Sequence, residues 1–139
     1  MANLTRTLPN LSLRLGPDET LTALEVLKSL RLRCDLVTLS ACESGLSRVR
    51  RGDELIGFMR AFSYAGARAL VDTLWRVNDR PTRLLMERFY QEIEAGLGFA
   101  EALKRAQLYV KHLSDQTGQP LFADPYYWAA FSLIGAHGS

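Results

Sequence analysis

The run Asp35-Leu36-Val37-Thr38-Leu39-Ser40-Ala41-Cys42-Glu43-Ser44-Gly45 decides the fold, because a short apolar stretch ends in a thiol followed at once by small and polar residues. Leu36, Val37 and Leu39 suit a strand packed on both faces, as in a parallel sheet. Glu43-Ser44-Gly45 stops that strand and turns the backbone. The turn delivers Cys42 to the crevice outside a strand's carboxyl end, where open α/β sheets place their ligands.

Upstream, Ser12-Leu13-Arg14-Leu15 reads as a short strand, and Gly16-Pro17-Asp18 turns the chain out of it. Thr22-Ala23-Leu24-Glu25 has the form of a capping box, with Leu24, Leu27 and Leu30 on one apolar face, so a helix is expected before Cys34 opens the cysteine strand. Downstream, the basic loop Ser47-Arg48-Val49-Arg50-Arg51-Gly52-Asp53 leads to a helix predicted over residues 54–65, whose Leu55, Met59 and Phe62 recur at helical spacing as core. Gly66 ends it, and an apolar strand is predicted over residues 67–75. Arg76-Val77-Asn78-Asp79-Arg80 is then a loop on the same side of the sheet as Cys42 if the two strands are parallel. Helices are predicted over 81–95, with Leu84, Leu85, Phe89 and Ile93 inward, and over 99–113, with Phe99, Leu103, Ala106 and Val110 on one stripe. Residues 127–134, rich in β-formers, read as a final strand. Alternating strands and helices predict an α/β layered domain with a mostly parallel sheet flanked by helices, without internal repeat or linker.

A chain of 139 residues holds one domain, and 47% hydrophobic with 23% charged residues is ordinary for a folded protein. No apolar run approaches the ~20 residues a membrane span needs, and the first eight residues lack a signal-peptide core. A cytoplasmic protein is the expectation. Cys34 and Cys42 cannot make a disulfide framework, and with His112 and His137 far along the chain no metal pattern forms. A net charge of +2 does not argue for nucleic acid, and the arginines at 31, 33, 48, 50 and 51 read as a solvated rim.

Five motifs together carry a family resemblance. They are Leu39-Ser40-Ala41-Cys42-Glu43-Ser44-Gly45, Gly66-Ala67, Leu74-Trp75-Arg76-Val77-Asn78-Asp79, Arg88-Phe89-Tyr90 and Pro125-Tyr126-Tyr127-Trp128-Ala129-Ala130-Phe131. Their order and spacing resemble the CHAT domain over about residues 10–135, a caspase-like family often joined to tetratricopeptide repeats. The resemblance implies a caspase-type sheet and peptide-bond hydrolysis, with Cys42 matching the nucleophile. The family's histidine, in a His-Gly motif upstream of a segment like Asn10-Leu11-Ser12-Leu13, does not carry over, so the carboxyl-terminal part of the domain is expected, incomplete on its amino-terminal side. Where many relatives have a histidine before Pro-Tyr-Tyr-Trp, this chain has Asp124.

A cysteine peptidase needs a thiolate, a base that also protonates the leaving amine, and donors for the oxyanion. Of these the sequence supplies the thiol. A free thiol has a pKa near ~8.5, and an arginine such as Arg48 can favour the thiolate but cannot shuttle protons. His112, in a predicted helix beside Lys111, and His137, in a Gly-rich tail, read as solvated rather than catalytic. Cys34 reads as a buried structural thiol. Glu43 and Ser44, Asp72, Trp75 and Asp79 are candidates for a substrate pocket, the acids favouring a basic side chain beside the scissile bond. Asp79 reads equally as an acid stabilising a helix start, and Trp75 as packing.

The chain is therefore expected to be a cysteine endopeptidase-like enzyme if complemented by a histidine-bearing segment, using no cofactor and taking a protein or peptide substrate. Two other readings stand beside it. A non-catalytic pseudo-peptidase would serve as an interaction module, with tetratricopeptide-repeat proteins as implied partners. A phosphatase-like loop is suggested by Cys42 and Arg48 with five residues between them, though Glu43 would repel a phosphate dianion there.

Overall fold

The computed structural model describes residues 12–14, 20–29, 31–32, 34–39 and 52–135. The elements run β1 (Ser12–Arg14), β2 (Thr20–Thr22), α1 (Ala23–Ser29), β3 (Cys34–Thr38), α2 (Gly52–Ala65), β4 (Ala67–Thr73), α3 (Asp79–Glu94), α4 (Phe99–Lys111), α5 (Pro125–Trp128) and β5 (Phe131–Gly135). β1 and β2 form a small antiparallel pair, Leu13 opposite Leu21. The main described sheet has the order β3-β4-β5. β3 and β4 are parallel, with Val37 opposite Leu70, and β5 joins β4 antiparallel, with Val71 opposite Leu133.

The sheet lies between two helical layers, as the α/β expectation requires. Successive residues of a strand point to opposite faces, and the core divides accordingly. Leu70, Val37, Leu39 and Ile134 pack with Val26 of α1 and with Ala61, Phe62 and Ala65 of α2. Val71, Leu36, Phe131 and Leu133 pack with Leu85 and Phe89 of α3 and with Ala102, Leu103, Ala106 and Val110 of α4. β4 is central, so it is buried on both faces; of its residues, Arg68 alone reaches solvent. That accounts for its unbroken apolar reading in the sequence.

The helices follow their predicted stripes with small shifts at the ends. α2 begins at Gly52 rather than residue 54, and Met59 and Phe62 pack inward as expected. α3 begins at Asp79 with Asn78 as N-cap, so Pro81 sits in the first turn instead of opening it. Thr22, read as a helix cap, is the last residue of β2 and directly precedes α1. Cys34 opens β3 and is half-buried rather than fully buried. The one substantive correction is at residues 127–128, the start of the expected strand, which belong to the helical turn Pro125–Trp128. Asp124 accepts a hydrogen bond from the Tyr126 N–H at 2.8 Å, and Pro125 lies just inside the start; this capping overrides the β-preference of Tyr126-Tyr127-Trp128. The strand proper begins at Phe131. The turn at residues 16–18 and the basic loop at 47–51 lie outside the described residues.

Candidate active site

β3 and β4 run side by side toward one end of the sheet, the end at which the described part of β3 stops before Cys42 in the sequence. The register sets Thr38 against Val71, and the Leu39 N–H donates to the Val71 carbonyl at 2.8 Å. Leu39 therefore lies beside Asp72, three residues before Cys42 in the sequence. Cys42, Glu43 and Ser44 themselves lie outside the described residues. Cys34 is at the opposite, amino-terminal end of β3.

The two loops at the carboxyl end of β4 are fastened together. The Leu74 N–H donates to the Ala130 carbonyl at 2.8 Å, and the Trp75 indole N–H to the Tyr126 carbonyl at 2.9 Å. The Arg80 guanidinium lies 5.7 Å above the Phe122 ring, which meets the Tyr127 ring edge-on. The loop that follows β4 and the loop carrying α5 thus form one wall, and α3 opens from it. Leu74 and Tyr126 remain exposed there. Sequence reading passed over both as site residues, although Tyr126 belongs to the Pro-Tyr-Tyr-Trp motif.

Asp72, Trp75 and Asp79 are brought to this end but into different settings. Asp72 is fully buried on the α2 side of the sheet, and its Oδ1 accepts the Thr73 N–H at 2.7 Å. Trp75 is half-buried against the α3–α4 core with its indole N–H committed to backbone. Asp79 is exposed as the first residue of α3, where the unpaired N–H groups of a helix start favour an acid. Thr82, buried one turn into α3, has no hydrogen-bond partner for its hydroxyl among the described residues.

His112 ends α4 as its C-cap, exposed, with Nδ1 2.9 Å from the Leu108 carbonyl oxygen. That contact and exposure make it a helix-terminal side chain. His137 lies outside the described residues. Among the described residues, no three potential metal ligands gather, and no helix is long and apolar enough to cross a membrane.

The CHAT domain model matches residues 5–136. Tetratricopeptide repeat protein 28 of mouse and of human are each 34% identical to this chain over 116 residues. Those alignments take in 84% of this chain and 4% of either relative, so the chain corresponds to a small part of their length. No solved structure matches. With the strand that leads to Cys42, the Leu74-Trp75 loop and the Pro-Tyr-Tyr-Trp turn gathered at one end of the sheet, and with that match along nearly the whole sequence, the chain belongs to the CHAT domain family.

Proposed function

We propose that residues 1–139 form a single partial caspase-like domain of a kind built for peptide-bond hydrolysis, with Cys42 as nucleophile. The observation that carries this is the parallel β3–β4 pair, because its carboxyl end adjoins the fastened Leu74-Trp75 and Tyr126 loops and Cys42 follows the last described residue of that strand, Leu39, by three positions in the sequence. In such a site the Cys42 thiolate attacks the peptide carbonyl carbon, the amine departs with a proton from the base, and water hydrolyses the thioester. The base in this reading is a histidine of a complementing segment, supported by His112 being an exposed helix cap. Glu43, Ser44, Asp79 and Trp75 line the approach of a protein or peptide substrate. The setting is cytoplasmic, and a tetratricopeptide-repeat protein is the partner that the names of the relatives suggest.

The test is the alkylation rate of Cys42 against pH, with Cys34 as internal reference and Cys42→Ala as control. It is followed by peptide-library cleavage with and without a histidine-bearing segment supplied from the family. Cleavage that appears on complementation and is lost in Cys42→Ala is expected. A Cys42 that titrates like free cysteine, with no cleavage under either condition, favours the second reading, a non-catalytic interaction module. The exposed, helix-capping His112 is the observation behind that alternative.

A further inference from the structure

β5 is an outer strand of the described sheet, and the register fixes which of its residues face outward. The Leu74 N–H donates to the Ala130 carbonyl, and in an antiparallel ladder bonded and unbonded pairs alternate. Ser132 and Ile134 therefore also turn their N–H and C=O groups toward β4, and Phe131, Leu133 and Gly135 turn theirs to the outer edge. Gln107 of α4 agrees with that assignment: its Nε2 donates to the Phe131 carbonyl, and to that of Trp128, each at 3.1 Å. The outward groups of Leu133 and Gly135 take no partner among the described residues.

α4 overhangs this open stretch. Ala100, Lys104, Gln107 and Lys111 recur at helical spacing and so share one flank of the helix. Contacts to α3 come from the other side, through Arg105 to Glu92 and Tyr109 to Arg88. Ala100, Lys104 and Gln107, with Leu103, Leu133 and Gly135, border a groove of about 230 Å³. It is apolar along Leu103, Leu133 and Ala100 and cationic at its rim. Lys104 reaches Glu101 only at 3.8 Å, in an exposed pair, and Arg105 holds the same acid closer, at 3.3 Å. Lys111 stands 5.2 Å from the centre of the Trp128 ring. The flank thus carries two lysines and no acid, and β5 carries no charge.

These features select an occupant. Open N–H and C=O groups on a strand edge pair with an extended chain. Alternate side chains of an added strand point toward α4, so the one opposite Leu133 enters the groove, where an aliphatic group fits. The lysine flank favours acid in the incoming segment. A second copy of this chain suits it poorly, because two-fold pairing of β5 with β5 sets the Lys104 and Lys111 flanks of both copies face to face.

We propose that the outer edge of β5, under the flank of α4, docks an extended acidic segment of a partner protein. The segment adds a strand beside Leu133 and Gly135, seats an aliphatic side chain against Leu133, Leu103 and Ala100, and meets Lys104 and Lys111 with its carboxylates. Gln107 closes one end of the site by covering the Phe131 carbonyl. The site lies across the described sheet from β3 and does not depend on the role of Cys42.

The experiment is fluorescence polarisation on the full chain with a labelled peptide of about seven residues, leucine at its centre and glutamates toward both ends, against the same peptide with lysine for glutamate. The acidic peptide is expected to bind about tenfold tighter or more, and Lys104→Glu to weaken it by about threefold or more. Leu133→Pro, which removes an outward N–H and leaves the β4 pairing in place, is expected to abolish binding. Equal affinity for the two peptides, no binding by either at about millimolar peptide, or a Lys104→Glu variant that binds as wild type overturns the proposal. So does a dimer in sedimentation that Leu133→Pro dissociates, which would assign the edge to a second copy. Should Leu133→Pro lack a cooperative melt, amide exchange of wild type decides. Slower exchange of the Leu133 and Gly135 N–H groups on adding the acidic peptide supports the proposal, and unchanged exchange overturns it.

Discussion

The phenolic oxygen of Tyr90 lies 2.8 Å from Oγ1 of Thr38, joining α3 to β3 just upstream of Cys42. Thr38 shares the α3-facing side of β3 with Leu36, so this contact anchors the end of that strand to α3. A neutral hydrogen bond contributes about 0.5–1.5 kcal/mol net, and the 45% exposure of Tyr90 puts this one at the lower end. Tyr90→Phe and Thr38→Val are each expected to cost about 0.5 kcal/mol, with a coupling of similar size in a double-mutant cycle. Urea unfolding measures all three, and strictly additive losses would show that the two hydroxyls do not interact in solution.

A charged cluster centred on Glu92 of α3 reaches α4 through Arg105 and through Arg88 over Tyr109. Glu92, its side chain 9% exposed, receives Arg88 Nη2 at 2.6 Å and Nε at 2.7 Å, with Arg105 Nη1 further off at 3.7 Å. Arg88 also lies 5.1 Å above the Tyr109 ring of α4. The short, poorly solvated contact, in which Nη2 and Nε converge on the single oxygen Oε1, should dominate, and the longer one, from a half-exposed arginine to Oε2, should contribute little. Glu92→Ala is expected to lower stability by about 2 kcal/mol and Arg105→Ala by under about 0.5 kcal/mol. A larger loss in Arg105→Ala than in Glu92→Ala, in thermal or urea melts, would reverse this assignment.

Two glycines with positive φ should respond differently to the same substitution. Gly66, between α2 and β4, has φ +119°, and a Cβ there would run into the backbone carbonyl of Leu32, whose N–H in turn bonds Ala65. Gly96, after α3, has φ +98° but open space around its missing side chain. Strain from the dihedral alone is worth about 1–2 kcal/mol for a non-glycine residue. Gly96→Ala is expected near that figure, whereas Gly66→Ala must also displace the α1–β3 connection and should cost about 3 kcal/mol or more. Equal losses in the two variants would mean that the Leu32 segment moves aside without penalty.

These contacts also mark what the sequence could and could not disclose. Leu85, Phe89, Ala106 and Val110 recur at helical spacing, and the apolar run of β4 is continuous because both its faces are covered, so helices and central strand were readable from pattern alone. Residues 127–128 were not, since aromatic β-formers outweigh one Asp-Pro pair in any propensity sum, while the Asp124 cap acts through a single oriented hydrogen bond. Asp72 posed the opposite difficulty. Its acid, at the end of an apolar strand, reads as a pocket residue, and only the structure shows it fully buried with Oδ1 accepting the Thr73 N–H. Leu74 and Tyr126 came to notice only with the loop-to-loop bonds, which link residues far apart in sequence.

The turn after α4 offers a test by acid. Asp115 Oδ1 accepts from the Thr117 hydroxyl at 2.6 Å, the Thr117 N–H at 2.8 Å and the Gln119 N–H at 3.0 Å. These bonds, led by the Thr117 hydroxyl, favour the ionised form and hold the carboxyl below its ordinary value of 3.8. A carboxyl whose folded pKa is depressed contributes fully above its unfolded value and loses that contribution as pH falls through the folded one. The Thr117 and Gln119 amide resonances are therefore expected to hold steady down to about pH 4 and to titrate together below it, with a midpoint under the ordinary value. Asp115→Asn, which keeps an acceptor oxygen but cannot ionise, should abolish that titration while retaining much of the turn. A midpoint at or above the ordinary carboxylate value would show that the three hydrogen bonds do not favour the carboxylate in solution.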